Sequence, residues 1–528
     1  MRDFQFPGRS PVRATEAMAA TSHPLATAAA LQLLKSGGNA MDAAVCAAAV
    51  LAVVEPQSTG IGGDCFALYV PKGEGKVIAF NGSGRSPAAA TLDWYREKGF
   101  SAIPTYGPHA VTIPGAIDAW CQLIGDHGSK DLAEILAPAI HYADKGYVVH
   151  DRVAADWNRT AEQLSLDPHA ARILLPGGRA PVAGDLHRQP ELAETLRIIA
   201  KEGRRGFYEG IVAADMADYL KSLGGLHRLE DFAATKGNYI EPITSNYRGI
   251  DLFQLPPNNQ GITALLMLNI LSGFDLAALD PISPERLHLE IEAGRLAYRD
   301  RDAFVADPEH GDVPVEALLS KEYAAKLAKR IHRDKAATDL PPPLMKSSDT
   351  VYLSVVDRDR NAVSFINSTY YSFGSGLVSP KTGIVLQNRG SSFTLDASHP
   401  NCLAPNKRPM HTIMPGMAMK DGRVMMPYGV MGGDYQPFGH VHFLTNVLDY
   451  GFDPQAALDQ ARVFYENGKV QVERSVPVNS IAGLQARGHA VEVASEPLGG
   501  GQGIRIDWQK GTLTGGSDPR KDGCALGY

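Results

Sequence analysis

The chain has few cysteines, and they form no pattern. Five occur among 528 residues, at positions 46, 65, 121, 402 and 524, and none belongs to a C-x-x-C pair. An odd number of widely spaced cysteines argues against a disulfide scaffold and against a cysteine-ligated zinc site. We therefore expect five free thiols, no resident metal and no other cofactor.

Long apolar segments are also missing. The most apolar run, Ala43 to Val54, is far shorter than the roughly 20 residues that a membrane-spanning helix needs. The first residues contain arginines but no continuous apolar stretch of the kind found in secretory signals. These absences predict a cytoplasmic protein without a membrane partner.

Positive charge is not concentrated anywhere in the chain. The net charge is −7, and lysine and arginine are scattered along the sequence. A nucleic-acid partner would require a basic patch, so this class of function is disfavoured. The 44 % hydrophobic content and the lack of low-complexity tracts indicate a globular protein. A small-molecule partner is the expectation that remains.

The pattern of residues changes once along the chain. Helical patterns dominate its first part, in the segments Pro24–Lys35, Asn39–Val54, Leu132–Lys145, Gln189–Glu202 and Ser283–Phe304. Strand patterns dominate after residue 349, where VYLSVV and VSFINS form a hairpin and TGIVLQN, TIMPGMAM, RVMMPYGV, AVEVAS and GIRIDW follow. Pattern alone therefore predicts a mixture of α and β structure.

One pair on the last of these helices has metal-ligand spacing. His288 and Glu292 lie four residues apart, on one face of the predicted helix. The sequence suggests no third ligand, and a buried histidine on a packed helix is more often structural. We interpret the pair as structural.

A linker, IHRDKAATDLPPPLMKSSD, separates the two parts and ends where Thr350 opens a strand. A β-branched residue at that place is ordinary by itself. Other segments downstream give it a different meaning. They are the turns NSTYYSFGSG and NRGSSF, the segment PNKRP and the Gly-Gly pair of GVMGGD.

In their order and spacing these segments resemble the gamma-glutamyltransferase family of N-terminal-nucleophile hydrolases. GGNAMDAAVCAAAVLAVVEPQSTGIGGDCF and HLEIEAGRLAYRDRDAFVADP extend the resemblance over most of the chain. The resemblance implies an α+β fold, a four-layer αββα sandwich. It also implies that the precursor cuts itself between Asp349 and Thr350. The resulting chains, 1–349 and 350–528, would share one intertwined core. The resemblance also allows two such heterodimers to associate.

The same resemblance assigns the catalytic roles. Thr350 would be the nucleophile, and its freed α-amino group, with a reference pKa of about 7.7 to 8.0, would be the general base. Ser368 would hold the nucleophile. Gly432 and Gly433 would offer backbone N–H groups to the oxyanion, which glycine permits because no Cβ blocks the approach.

The residues expected around the substrate depart from the family pattern. Arg389 and Ser392 stand where acidic or amide side chains normally face the ammonium of a γ-glutamyl donor, and an arginine would repel that group. His411 and Thr412 replace a serine pair, and Arg85 lies near the position of a carboxylate-binding arginine. Together these residues predict a small anionic acyl donor.

The substitutions resemble the branch of the family that includes oxamate amidohydrolase and, more distantly, glutaryl-cephalosporin acylases. The leading hypothesis is hydrolysis of oxamate to oxalate and ammonia through an ester on Thr350. Alternatives within the same chemistry are a gamma-glutamyltransferase or glutathione hydrolase and a glutaryl-amide acylase. Two alternatives of other classes are a dinucleotide-binding protein, suggested weakly by GIGGD and GSG, and a non-catalytic relative that no longer matures.

Overall fold

The computed structural model describes residue 5, residues 8–340 and residues 349–528. Residues 341–348 of the predicted linker therefore lie outside the described part. The helices are α1 (Pro24–Lys35), α2 (Ala40–Val54), α3 (Leu92–Glu97), α4 (Ala116–His127), α5 (Leu132–Lys145), α6 (Asp151–Leu164), α7 (Pro168–Leu174), α8 (Pro190–Glu202), α9 (Arg204–Tyr208), α10 (Gly210–Ser222), α11 (Leu229–Ala234), α12 (Gly261–Leu271), α13 (Pro284–Phe304), α14 (Val315–Leu319), α15 (Lys321–Ala328), α16 (Gln436–Leu448), α17 (Pro454–Asp459) and α18 (Val478–Ala486).

The strands are β1 (Val12–Ala14), β2 (Met18–Thr21), β3 (Asp64–Val70), β4 (Ile78–Gly82), β5 (Tyr147–Val148), β6 (Leu186–His187), β7 (Asn238–Ile240), β8 (Ile243–Tyr247), β9 (Ile250–Gln254), β10 (Asp349–Val356), β11 (Ala362–Tyr370), β12 (Gly416–Lys420), β13 (Arg423–Met431), β14 (Val463–Glu466), β15 (Lys469–Val472), β16 (Val491–Val493), β17 (Gly500–Asp507), β18 (Thr512–Ser517) and β19 (Cys524–Gly527). The five predicted helices are all present, and β10 and β11 form the predicted hairpin.

Helix α2 shows how local signals and burial combine. The Asn39 side chain accepts hydrogen bonds from the backbone N–H groups of Met41 and Asp42. The Asp42 carboxylate in turn accepts a hydrogen bond from the Asn39 N–H. This capping box fixes where the helix starts. All residues of α2 are buried, because the helix lies between other helices and a sheet.

Two large sheets form the centre of the molecule. One has the order β1-β18-β17-β13-β12-β9-β8 and the other β19-β2-β10-β11-β3-β4-β7. Every pairing in these two sheets is antiparallel. Residues from both sides of the linker contribute strands to both sheets, so neither part has a sheet of its own.

The core has three main layers of apolar contacts, and β10 separates two of them. Val351, Leu353 and Val355 belong to the cluster that includes α2, whereas Tyr352 and Val356 belong to the cluster between the sheets. This alternation is the ordinary period of a strand that is buried on both faces. A third cluster joins α12, α13 and α16 to the other sheet. The predicted αββα sandwich is thus confirmed.

One predicted strand is wrong. The segment TGIVLQN contains no strand, and its only ladder contacts are isolated bridges of Val385 and Leu386. Gly383 has a φ of 67° and turns the chain at the start of the segment, so an extended ladder cannot continue through it. The segment contains apolar β-branched residues, which favour a strand in the sequence. In the fold, however, no described strand forms a ladder with it.

Two further sequence expectations concern the whole chain. All five cysteines are free thiols, as predicted. Within the described part of the chain, no helix combines the length and apolarity needed to cross a bilayer.

Candidate active site

The nucleophile predicted from the sequence lies at an irregularity of a central strand. The pairing of β10 with β11 shifts register between Asp349 and Val351, which leaves Thr350 at the bulge. Bulges redirect a side chain relative to the regular ladder. Thr350 is fully buried, and its hydroxyl donates to the Ser368 hydroxyl across 3.3 Å. The structure therefore places together the two residues that the family pattern pairs.

Ser368 connects Thr350 to a buried cation. Its Oγ accepts a hydrogen bond from the Tyr370 N–H at 2.8 Å and lies 3.5 Å from Nη2 of Arg389. Two short steps, 3.3 and 3.5 Å, thus separate the Thr350 hydroxyl from the Arg389 guanidinium. A group that reacts with Thr350 would lie within reach of that positive charge.

Arg389 is a fully buried arginine with no carboxylate at ion-pair distance among the described side chains. Its Nη1 donates to Thr412 Oγ1 at 2.8 Å, and the guanidinium lies 3.8 Å from the ring centre of Tyr370. Its Nε has no hydrogen-bond partner, and no carboxylate of the described residues pairs with it. Burial lowers the pKa of Arg389 to about 10, so the group stays charged at neutral pH. An unpaired buried charge is costly, and an anionic ligand would relieve that cost.

The three neighbouring positions predicted to bind substrate differ in their roles. Thr412 helps to hold Arg389, as described. His411 Nε2 lies 3.0 Å from Asp64 Oδ2, and burial together with the charge of Arg389 lowers its pKa to about 3. His411 is therefore neutral and adds no positive charge. The Ser392 hydroxyl donates to the backbone carbonyls of Arg389 and Met410, both at 2.9 Å, and so holds the turn that carries Arg389.

Arg85 does not join this group. Its guanidinium pairs with Glu309 at 2.9 Å and with Asp307 at 3.6 Å, and it also donates to the Asn406 carbonyl. None of its hydrogen bonds or ion pairs involves Arg389 or Thr412. Because two carboxylates already neutralise it, the expected contribution of Arg85 to an anion pocket is not supported.

The Gly432–Gly433 pair forms the turn that follows β13. Both residues have left-handed backbone conformations, with φ values of 118° and 56°. A Cβ on Gly432 would lie 2.9 Å from the Cα of Gly499, closer than real Cβ contacts allow. The turn thus requires glycine for its conformation and for its close approach to a neighbouring loop, and Gly432 also lines an open cavity.

Comparison with known proteins agrees with this geometry. The family model described as gamma-glutamyltranspeptidase matches residues 26–528. The chain belongs to the gamma-glutamyltranspeptidase family. Membership confirms the predicted family and, with it, a self-processing amide hydrolase of the N-terminal-nucleophile type.

Individual relatives match over nearly the full length. The chain is 42 % identical to the glutathione hydrolase-like YwrD proenzyme of Bacillus subtilis strain 168, covering 97 % of this chain and 98 % of the relative. It is 38 % identical to the oxamate amidohydrolase proenzyme of Klebsiella pneumoniae, covering 97 % and 99 %. A crystal structure of cephalosporin acylase from Bacillus halodurans superposes with a TM-score of 0.94 at 41 % identity, covering 100 % and 99 %.

In this member of the family, residues that sequence reasoning missed support the turn. Gln260 Nε2 donates to the carbonyls of Thr412 at 2.6 Å and Gly433 at 3.1 Å, and so ties the anion site to the glycine turn. Arg301 donates to Gln260 Oε1 at 3.1 Å and pairs with Asp434, the residue after the glycines. The sequence feature that could have indicated Arg301 is the charged end of α13, RDRDAF, on a helix that is otherwise deeply buried.

The possible metal pair has a third potential ligand after all. His489, which the sequence did not suggest, joins His288 and Glu292. The three side chains nevertheless have partners within the protein. His288 contacts His489 Nε2 and the His332 carbonyl, both at 2.7 Å, and Glu292 accepts from Arg295 at 2.7 Å and from the Ala337 N–H at 3.0 Å. We interpret the cluster as structural.

Substitution of Gly432 tests the oxyanion role. Gly432→Ala is expected to lower kcat about 100-fold or more, because a Cβ displaces the turn and an oxyanion donor is lost. Two quantities are measured. They are kcat for an amide that the wild type hydrolyses and the extent of chain cleavage, which is monitored by denaturing electrophoresis. Gly422→Ala is a matched control, since Gly422 also has a positive φ, 76°, but has open space at its Cβ position. Equal kcat for Gly432→Ala and the wild type would rule out the role.

Proposed function

We propose that the chain is cut between Asp349 and Thr350 and hydrolyses amides whose acyl group carries a carboxylate close to the scissile carbonyl. The observation that carries the proposal is Arg389, a buried cation that forms no ion pair with the described side chains and lies two hydrogen-bond steps from Thr350. Arginine binds carboxylates through paired N–H groups, which fixes both position and orientation.

The chemistry follows from the arrangement after cleavage. The Thr350 oxygen attacks the amide carbon, and its proton passes to the new α-amino group of the same residue. The oxyanion that forms is stabilised by the N–H groups of the Gly432–Gly433 turn. The amide nitrogen takes the proton and leaves as ammonia or an amine, and an acyl ester remains on Thr350. Water then cleaves the ester, which releases the acid and restores the hydroxyl.

The position of Arg389 favours a short acyl group. In oxamate the carboxylate is bonded directly to the carbonyl carbon that Thr350 would attack. In a glutaryl group three methylene groups separate the carboxylate from that carbon. An extended glutaryl chain would carry its carboxylate past Arg389, which lies close to the nucleophile, and only a folded chain would bring it back. A γ-glutamyl donor would in addition bring its ammonium towards an unpaired guanidinium, which is repulsive. Oxamate is therefore our first choice, and a glutaryl amide our second because of the similarity to a cephalosporin acylase.

A matched substrate panel tests the proposal. Amide hydrolysis is measured for oxamate, for its neutral isostere oxamide, for a glutaryl amide and for a γ-glutamyl amide. We expect kcat/KM for oxamate to exceed that for oxamide about 100-fold, because only oxamate places an anion beside Arg389. A preference for the γ-glutamyl amide over both carboxylate amides, or for oxamide over oxamate, would overturn the proposal.

A further inference from the structure

A cavity of about 430 Å³ opens beside the glycine turn. Its walls come from α6, from the β14–β15 hairpin and from the loop at residues 494–499, and Gly432 and Tyr371 lie in its lining. Volumes of this size hold an organic ligand of many atoms, whereas a water molecule takes roughly 30 Å³. Ammonia, the leaving group of a primary amide, would leave nearly all of this space unfilled.

The basic side chains of the cavity already contact carboxylates of the protein. Arg152 pairs with Asp156 at 2.8 Å, Lys521 lies 3.8 Å from the same carboxylate, and Arg159 pairs with Asp156 and with Glu496. These contacts form one network of three basic side chains and two carboxylates, Asp156 and Glu496. Each basic side chain that lines the cavity therefore already lies within ion-pair distance of a carboxylate.

One carboxylate of the lining has no such partner. The side-chain carboxylate of Glu466, at the end of β14, makes no ion pair or hydrogen bond with the side chains that the structure describes. Lys469, which is paired with it across the hairpin, binds Glu492 instead at 2.8 Å. The second carboxylate at this end of the cavity, Asp434, is engaged by Arg301. Burial raises the pKa of Glu466, and the nearby charge of Asp434 raises it further.

We propose that this cavity binds the amine half of the substrate and that Glu466 pairs with a positive charge on that half. The inference rests on the proposed function and extends it from the acyl group to the leaving group. The substrate then carries opposite charges at its two ends, an acidic acyl group at Arg389 and an ammonium or guanidinium at Glu466. The predicted class is an N-substituted amide of a short dicarboxylic acid with a cationic amine.

Three substrates with the same acyl group test this inference. They are the primary amide, the N-butyl amide and the N-(4-aminobutyl) amide of whichever carboxylate acyl group the wild type hydrolyses best. We expect kcat/KM to rise from the primary amide to the butyl amide as the cavity is filled. We expect a further increase of about tenfold for the aminobutyl amide, mainly through KM, as its ammonium pairs with Glu466.

Glu466→Gln should abolish most of the tenfold preference for the aminobutyl over the butyl amide. The matched control is Glu492→Gln on β16, the strand beside β15, outside the cavity lining, which should keep the preference. Butane-1,4-diamine should inhibit the wild type more strongly than butylamine, and Glu466→Gln should lose this difference. If the wild type hydrolyses none of the carboxylate amides, the proposed function fails. If it hydrolyses all three substrates equally and Glu466→Gln changes nothing, only the present inference fails.

Discussion

Thr350→Ala is expected to remain a single chain of 528 residues and to lose amide hydrolysis by a factor of about 10⁴ or more. In the proposed mechanism the hydroxyl is the attacking group both in self-cleavage and in turnover, so its removal should block maturation and catalysis together. The uncleaved chain would also lack the free α-amino group that this mechanism uses as the base. Ser368 is not expected to replace it, because Ser368 lies on the neighbouring strand, where its oxygen accepts hydrogen bonds from the Thr350 hydroxyl and the Tyr370 N–H.

Mass spectrometry and denaturing electrophoresis provide the measurement. The wild type should give two chains, one ending at Asp349 and one beginning at Thr350. Thr350→Ser, which keeps a hydroxyl, should still be cleaved. Thr369→Ala is the matched control: Thr369 is equally buried on β11, but its hydroxyl has no hydrogen-bond partner among the described residues, so cleavage and activity should persist. Cleavage of Thr350→Ala at the same bond with wild-type activity would refute the assignment.

Local signals made the helices predictable. Helix α2 is capped by the side chains of Asn39 and Asp42. Helix α13 is capped by Ser283, whose hydroxyl accepts a hydrogen bond from the Arg286 N–H. Such caps depend on residues three positions apart, so the sequence contains all the information that is needed. The β10–β11 hairpin was predictable for the same reason, since its strands are joined by a short turn.

The order of strands could not be obtained in this way. β10 lies beside β2, and β11 beside β3, across about 300 residues of chain. Pattern reading gave only a mixture of α and β structure, because alternation shows that a strand is buried but not which strand pairs with it. The layered arrangement came from the family resemblance.

The site shows the same division. Thr350 and Ser368 meet because the hairpin brings them together, which the sequence indicates. Which charges are neutralised is decided by distant residues, and Arg85 and Arg389 looked alike in sequence. Only the fold shows that Arg85 pairs with Glu309, whereas Arg389 forms no ion pair in the part of the chain that the structure describes.

Arg389→Met is expected to lower kcat/KM for a carboxylate-bearing amide about 10²- to 10³-fold. A desolvated charge pair between guanidinium and substrate is lost, whereas the volume of the side chain is nearly kept. The neutral isostere should lose much less, so the ratio of oxamate to oxamide turnover should approach one. Arg389→Lys should recover only part of the ratio, because an ammonium cannot form the paired N–H contacts of arginine.

Stability separates binding of the substrate from a structural role. Loss of a buried charge that forms no ion pair with the described side chains removes a desolvation cost, so Arg389→Met should have a melting temperature equal to or above that of the wild type. Arg85→Met, which removes an arginine that two carboxylates neutralise, should leave the ratio of oxamate to oxamide turnover unchanged. An Arg389→Met variant that still prefers oxamate as strongly as the wild type would show that another group binds the acyl carboxylate. In that case the unpaired charge beside Thr350 would need a different explanation.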